Sequence, residues 1–161
     1  MTKPIILTFV SHYLPGYKSG GPVRAIANMV DQLDDEFDFR IITSDRDLFD
    51  TAPYTDIQVN KWNTLGSSQV YYAHTSSLTL ARTMKLLRNT SHDVLYLNSV
   101  FNRKFTWMPL LARWLQRIPR KPVVLAPRGE FADAALEIKA WKKKPFIALS
   151  LQMGFFSGLT W

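Results

Sequence analysis

Apolar runs separated by polar, glycine-rich turns set the pattern of this chain. Residues 5–10 read IILTFV. Both faces of such a run are apolar, which predicts a central strand of a parallel sheet. A Gly- and Pro-rich loop, SHYLPGYKSGGP, follows. Residues 22–33 then predict a helix. Pro22 suits its first turn, where no backbone N–H is needed, and Val23, Ile26, Ala27, Val30 and Leu33 recur at helical spacing. Asp34 and Asp35 close it. Residues 37–43 (FDFRIIT) predict a second strand, 69–73 a third, 93–98 a fourth and 122–126 a fifth. Between the second and third lies a polar excursion, residues 44–68, with a short strand expected near residues 56–60. Residues 78–88 predict an amphipathic helix with Leu78, Ala81, Leu86 and Leu87 inward, and residues 103–117 another. From Phe131 the pattern is helical, broken or restarted at Pro145.

Strands alternating with helices predict an α/β fold, a Rossmann-like doubly wound parallel sheet with helices on both faces. The strand order should reverse beside the first strand. Ligands of such sheets sit outside the carboxyl ends of the strands, which directs attention to loops 11–22, 44–56, 98–103 and 127–133. Residues 158–161 read as the start of a further strand. The 161 residues are expected to form a single domain, the first part of a longer enzyme.

Composition narrows the chemistry. With 47% apolar and 20% charged residues the chain is an ordinary globular one. It has no cysteine, which removes disulfides, thiolate metal sites and cysteine nucleophiles. The opening apolar run is too short for a signal peptide, and no run is long enough to span a bilayer. The expected location is the cytoplasm or the cytosolic face of a membrane. The net charge of +7 is uneven: residues 1–100 hold 9 basic and 10 acidic side chains, residues 101–161 hold 11 and 3. Such asymmetry points to an anionic partner.

Four segments carry candidate chemistry. In Lys18-Ser19-Gly20-Gly21-Pro22-Val23-Arg24 the glycines permit close backbone approach, the helix start offers free N–H groups, and Arg24 adds a fork for phosphate or carboxylate. A flexible strand–helix turn explains the same residues. In Ala126-Pro127-Arg128-Gly129-Glu130-Phe131, Arg128 stands at a strand end and Glu130 can accept a sugar hydroxyl or a proton. The plain alternative is an Arg128–Glu130 pair. Asn98 and Ser99 can hydrogen-bond a polar ligand, or cap a helix together with Asn102. Lys139, Trp141, Lys142, Lys143 and Lys144 suit an anionic lipid surface, although a solvated basic face has the same composition. His12, His74 and His92 have no ligand spacing, and no Asp/Glu pair suggests a metal site. The catalytic residues stay unassigned.

These pieces, in this order, resemble the N-terminal half of a GT-B glycosyltransferase of family 4. The resemblance rests on Pro15 to Arg24, on Asp93-Val94-Leu95-Tyr96-Leu97-Asn98, and most specifically on Ala126-Pro127-Arg128-Gly129-Glu130-Phe131 with Lys139-Ala140-Trp141-Lys142-Lys143-Lys144. That last set is similar to the PRG and KxWKK block of bacterial enzymes that build surface polysaccharides. The resemblance implies two Rossmann-like domains with the active site between them. The N-terminal domain binds the acceptor, often lipid-linked. The C-terminal domain, absent from this chain, binds the nucleotide-sugar, a UDP- or GDP-sugar, through a glutamate pair. The implied reaction is retaining and needs no metal. Gly20 and Gly21 would line the cleft, and Arg128 and Glu130 would meet the acceptor. Many family members have histidine after the fourth and fifth strands, where this chain has Asn98-Ser99 and Pro127-Arg128.

The resemblance therefore predicts the acceptor-binding half of a polysaccharide glycosyltransferase, inactive alone. A stand-alone binding module for a phosphorylated or glycosylated ligand is the alternative. A nucleic-acid-binding domain ranks last, because the basic residues lie beside tryptophans in apolar helices and no recognition motif accompanies them.

Overall fold

A computed structural model describes residues 2–128, 130, 145, 147, 148, 150–152 and 154–161. Six strands form one sheet in the order β3-β4-β2-β1-β5-β6. The parallel members are β1 (Ile5–Phe9), β2 (Asp38–Ser44), β4 (Ser68–Ala73), β5 (Val94–Asn98) and β6 (Val123–Ala126). Apolar alternates on both faces explain their depth: Leu7, Phe9, Ile41, Ile42, Leu97 and Leu125 are all fully buried. The order reverses beside β1, as expected. Thr160 bridges Val124 in parallel, so residues near the chain's end do reach the sheet.

Helices on both faces of the sheet build the layers. The helix α1 (Gly21–Leu33) packs Ile26 and Val30 against Phe39, Ile41, Val70 and Tyr72 on one face. On the other face α2 (Leu80–Asn89), a π-helical turn at Arg103–Trp107 and α3 (Met108–Trp114) cover Leu7, Phe9, Ile42, Leu95 and Leu97. Thr79 caps α2 by accepting the Arg82 N–H at 3.3 Å.

Some expectations fail. The strand expected at residues 56–60 is absent. Its place is taken by β3 (Trp62–Leu65), antiparallel to β4. Ile57 instead helps close the α1-side core as part of the loop. Ala81 faces solvent, because α2 is turned so that Thr83 and Leu87 are buried. The helix expected over 103–117 opens as a π-helical turn and ends at Trp114. Among the described residues no helix is long and apolar enough to cross a membrane, and no group of three or more metal-ligating side chains comes together.

Candidate functional site

A sheet whose strand order reverses has its ligand crevice at the switch point, which here falls between β1 and β5, flanked by the loops after β1, β5 and β6. One wall is the segment from Tyr13 to Gly21. Its last turn places Gly20 at φ 62 as the residue before α1, with the Arg24 N–H donating to the Gly20 carbonyl at 3.2 Å. A left-handed φ is costly for any side chain with a Cβ, so this turn needs glycine. Gly21 has an ordinary φ, and a Cβ there would meet nothing within 4 Å. Its open side and the exposed Arg24 lie at the N-terminus of α1, where backbone donors and the helix dipole favour an anion.

A buried carboxylate holds this wall. Asp47, 4% exposed, accepts the N–H groups of Tyr17 (2.7 Å), Lys18 (3.0 Å) and Leu48 (2.7 Å). Burial alone would push its pKa up. The three N–H donors, with the field of His12, outweigh burial and hold it below the usual value. Gly16 packs directly onto this carboxylate: a Cβ there would collide with the Tyr54 hydroxyl and stand 2.9 Å from Asp47 Cγ. Gly16→Ala is therefore expected to destabilise the fold by about 2–3 kcal/mol through overpacking. Urea denaturation checks this, and an unchanged midpoint would mean that the loop does not bear on Asp47 as described.

The other wall is a set of hydrogen-bonded pairs. Tyr96 and Asn98 are two apart in β5 and so point to one face, the face that α1 also covers. Arg128 reaches back over both, with Nε donating to Asn98 Oδ1 at 2.7 Å and Nη2 to the Tyr96 hydroxyl at 2.9 Å. Two of its five N–H donors are so used. The side chain is exposed, and the other donors bond no described residue. Glu130 does not pair with Arg128. Its carboxylate accepts the Ser99 hydroxyl at 2.7 Å and the Val100 N–H. Ser99 sits at φ 90 and Arg128 at φ 52, conformations that cost of order 1–3 kcal/mol each and persist only where surroundings enforce them. The enforcing contacts at Ser99 are its N–H to Ala126 O (2.9 Å) and its carbonyl accepting the Thr106 hydroxyl at 2.7 Å.

The fold thus brings Asn98, Ser99, Arg128 and Glu130 to one end of β5 and β6 as two pairs, Arg128 on Asn98 and Glu130 on Ser99. Gly20, Gly21 and Arg24 stand at the start of α1, in the connection that leaves the carboxyl end of β1. Of the residues weighed as caps, Asn102 takes that role, accepting from Lys104 N and Phe105 N at 3.1 and 2.8 Å. Gly129 and the lipid-facing set Lys139, Trp141, Lys142, Lys143 and Lys144 lie outside the described residues. Sequence reasoning missed Tyr96, Asp47 and Gly16. The two-residue spacing to Asn98 was a usable signal for Tyr96. Nothing local announces Asp47, whose partners Tyr17 and Lys18 are about 30 residues away. No protein-family model matches the sequence, and no curated protein or solved structure matches the chain, so the crevice is read on its own geometry and chemistry.

Proposed function

We propose that the chain is the acceptor-binding half of a retaining glycosyltransferase that passes a sugar from a nucleotide-sugar to a lipid-linked polysaccharide precursor. A UDP- or GDP-sugar would be held by a second Rossmann-like domain closing over the crevice. The observation that carries this reading is Arg128: an exposed guanidinium, pre-set by Asn98 and Tyr96, with donors left for a ligand at the switch point. The sequence resemblance in the block around it adds the reaction class.

In this reading Arg128 grips the phosphate or a hydroxyl of the acceptor. Glu130 and Ser99 hold the β5 loop so that the acceptor hydroxyl meets a fixed surface. The backbone at Gly20-Gly21 approaches the donor diphosphate, and the α1 N-terminus favours the charge that grows on the departing nucleotide. The acceptor is oriented by groups already in place before it arrives, which is one source of acceleration such a site can supply. The anionic membrane surface that would deliver a lipid-linked acceptor is a proposed partner of the basic last third of the chain.

Calorimetric titration tests the reading. The chain is expected to bind a polyprenyl-phosphate-sugar analogue but neither UDP-sugars nor GDP-sugars. Tight nucleotide binding by these 161 residues alone would instead favour a stand-alone nucleotide module. Gly21→Val adds a second check, since its new side chain enters open space. In the complete enzyme it should lower turnover about tenfold or more by displacing substrate, while the melting temperature holds. Unchanged kinetics would take the glycine turn out of the site.

A further inference from the structure

A second recess lies on the other face of the sheet from α1. We propose that this groove, between α2 and the edge strands β3 and β4, binds a small anionic saccharide. Its volume is about 660 Å³, within the range of about 300–1,000 Å³ common for small-ligand sites. Parallel sheets normally have both faces covered, yet here the floor is left open at the edge. Trp62 of β3 and Tyr71 of β4 form that floor. Their rings meet edge-on at 5.4 Å and 65°, which fixes the indole, and Trp62 stays 36% exposed.

The chemistry of the walls is consistent from end to end. Arg82 and Lys85 project from one side of α2, and Arg82 is anchored by donating to the Tyr71 hydroxyl at 2.9 Å. A separate, smaller hollow that shares Trp62 is lined by Arg40 and Gln69, and Arg40 is tied to the Ser91 carbonyl at 3.1 Å. None of the described residues that line either hollow is acidic. This is not a by-product of overall basicity, because residues 1–100, which supply all three cations, carry one more acidic than basic side chain. Ser77, Thr79, Thr90 and Asn89 add hydroxyls and an amide, beside the apolar Ala81 and Leu86. A fixed aromatic platform, neutral hydrogen-bonding groups and cations without carboxylates suit a pyranose that bears a carboxylate or a phosphate. A bare anion would make no use of the indole. A nucleobase would have only one exposed ring to stack on.

The test is calorimetry of the 161-residue chain with tetragalacturonate and glucose 1-phosphate as the two anionic saccharides. Maltotetraose, inorganic phosphate and uridine monophosphate are the controls. At least one anionic saccharide should bind, with every control at least about tenfold weaker. Lys85→Glu should cut that affinity about tenfold or more by reversing an exposed charge, and Trp62→Ala by about tenfold through loss of the platform. Should Trp62→Ala fail to fold, Lys85→Glu alone decides. No binding of either saccharide, binding that Lys85→Glu leaves unchanged, or equal binding of phosphate, uridine monophosphate or maltotetraose overturns the proposal. The groove uses neither Arg128 nor the glycine turn, so its failure would leave the crevice reading intact, and the reverse holds.

Discussion

Asp47→Ala is expected to lower the melting temperature by about 10 °C, the largest stability effect predicted for a single side chain in this fold. The substitution strands the N–H groups of Tyr17, Lys18 and Leu48, all three bonded to one carboxylate that is 4% exposed. Hydrogen bonds to a charged group contribute about 1.5–3 kcal/mol each. They share one acceptor and do not add fully, so about 3–4 kcal/mol is a reasonable total. For a chain of this length each kcal/mol moves the midpoint by about 2–4 °C. Asp47→Asn keeps one acceptor oxygen and should lose about half as much.

The same carboxylate gives the fold an acid limb. Its pKa is held below the usual value in the folded chain, so it stabilises the fold above its unfolded pKa, near 4. That contribution is lost as pH falls through the lower, folded pKa. Melting curves between about pH 7 and pH 3 should therefore decline more steeply below about pH 4 for the native chain than for Asp47→Asn. Parallel acid limbs would show that Asp47 does not contribute. Lys18, which pairs with Asp50 of the loop after β2, offers no comparable lever, because that pair is 40% exposed at both side chains and exposed pairs contribute little.

Asp47 also shows where the sequence stops being readable. The parallel strands were legible because burial on both faces writes itself as an uninterrupted apolar run, as in Ile5–Phe9. The order of the sheet followed from the alternation with helices. The edge strand Trp62–Leu65 was misplaced to residues 56–60, since an edge strand exposes one face and carries a weak pattern. Ala81 was placed inward and Thr83 was not, because alanine fits either side of a helix and a buried threonine breaks the apolar stripe. At the crevice, residue types after strand ends were readable one by one, but not who bonds whom. Arg128 and Glu130 are two apart and of opposite sign, which favours a local pair in sequence. The strand end instead turns Arg128 through φ 52 and sends the two side chains to separate partners. Long-range hydrogen bonds of this kind leave no periodic trace.

Arg128 carries the largest predicted effect on binding, and its backbone supplies the control. Arg128→Ala should weaken the polyprenyl-phosphate-sugar analogue about 30- to 100-fold, the equivalent of losing charge-assisted hydrogen bonds of about 2–3 kcal/mol. Arg128→Lys should not restore it. A lysine has no planar fork with which to hold Asn98 and Tyr96 while also presenting donors to a ligand. Alanine at φ 52 keeps the left-handed strain, whereas glycine removes it. Arg128→Gly should then bind as poorly as Arg128→Ala but melt higher. That split separates a role in ligand contact from a role in holding the turn. Titration and thermal melts on the same three variants make the comparison. If alanine and glycine both bind the analogue as the native chain does, Arg128 is not the acceptor-gripping group, and the crevice loses the observation that carries its assignment.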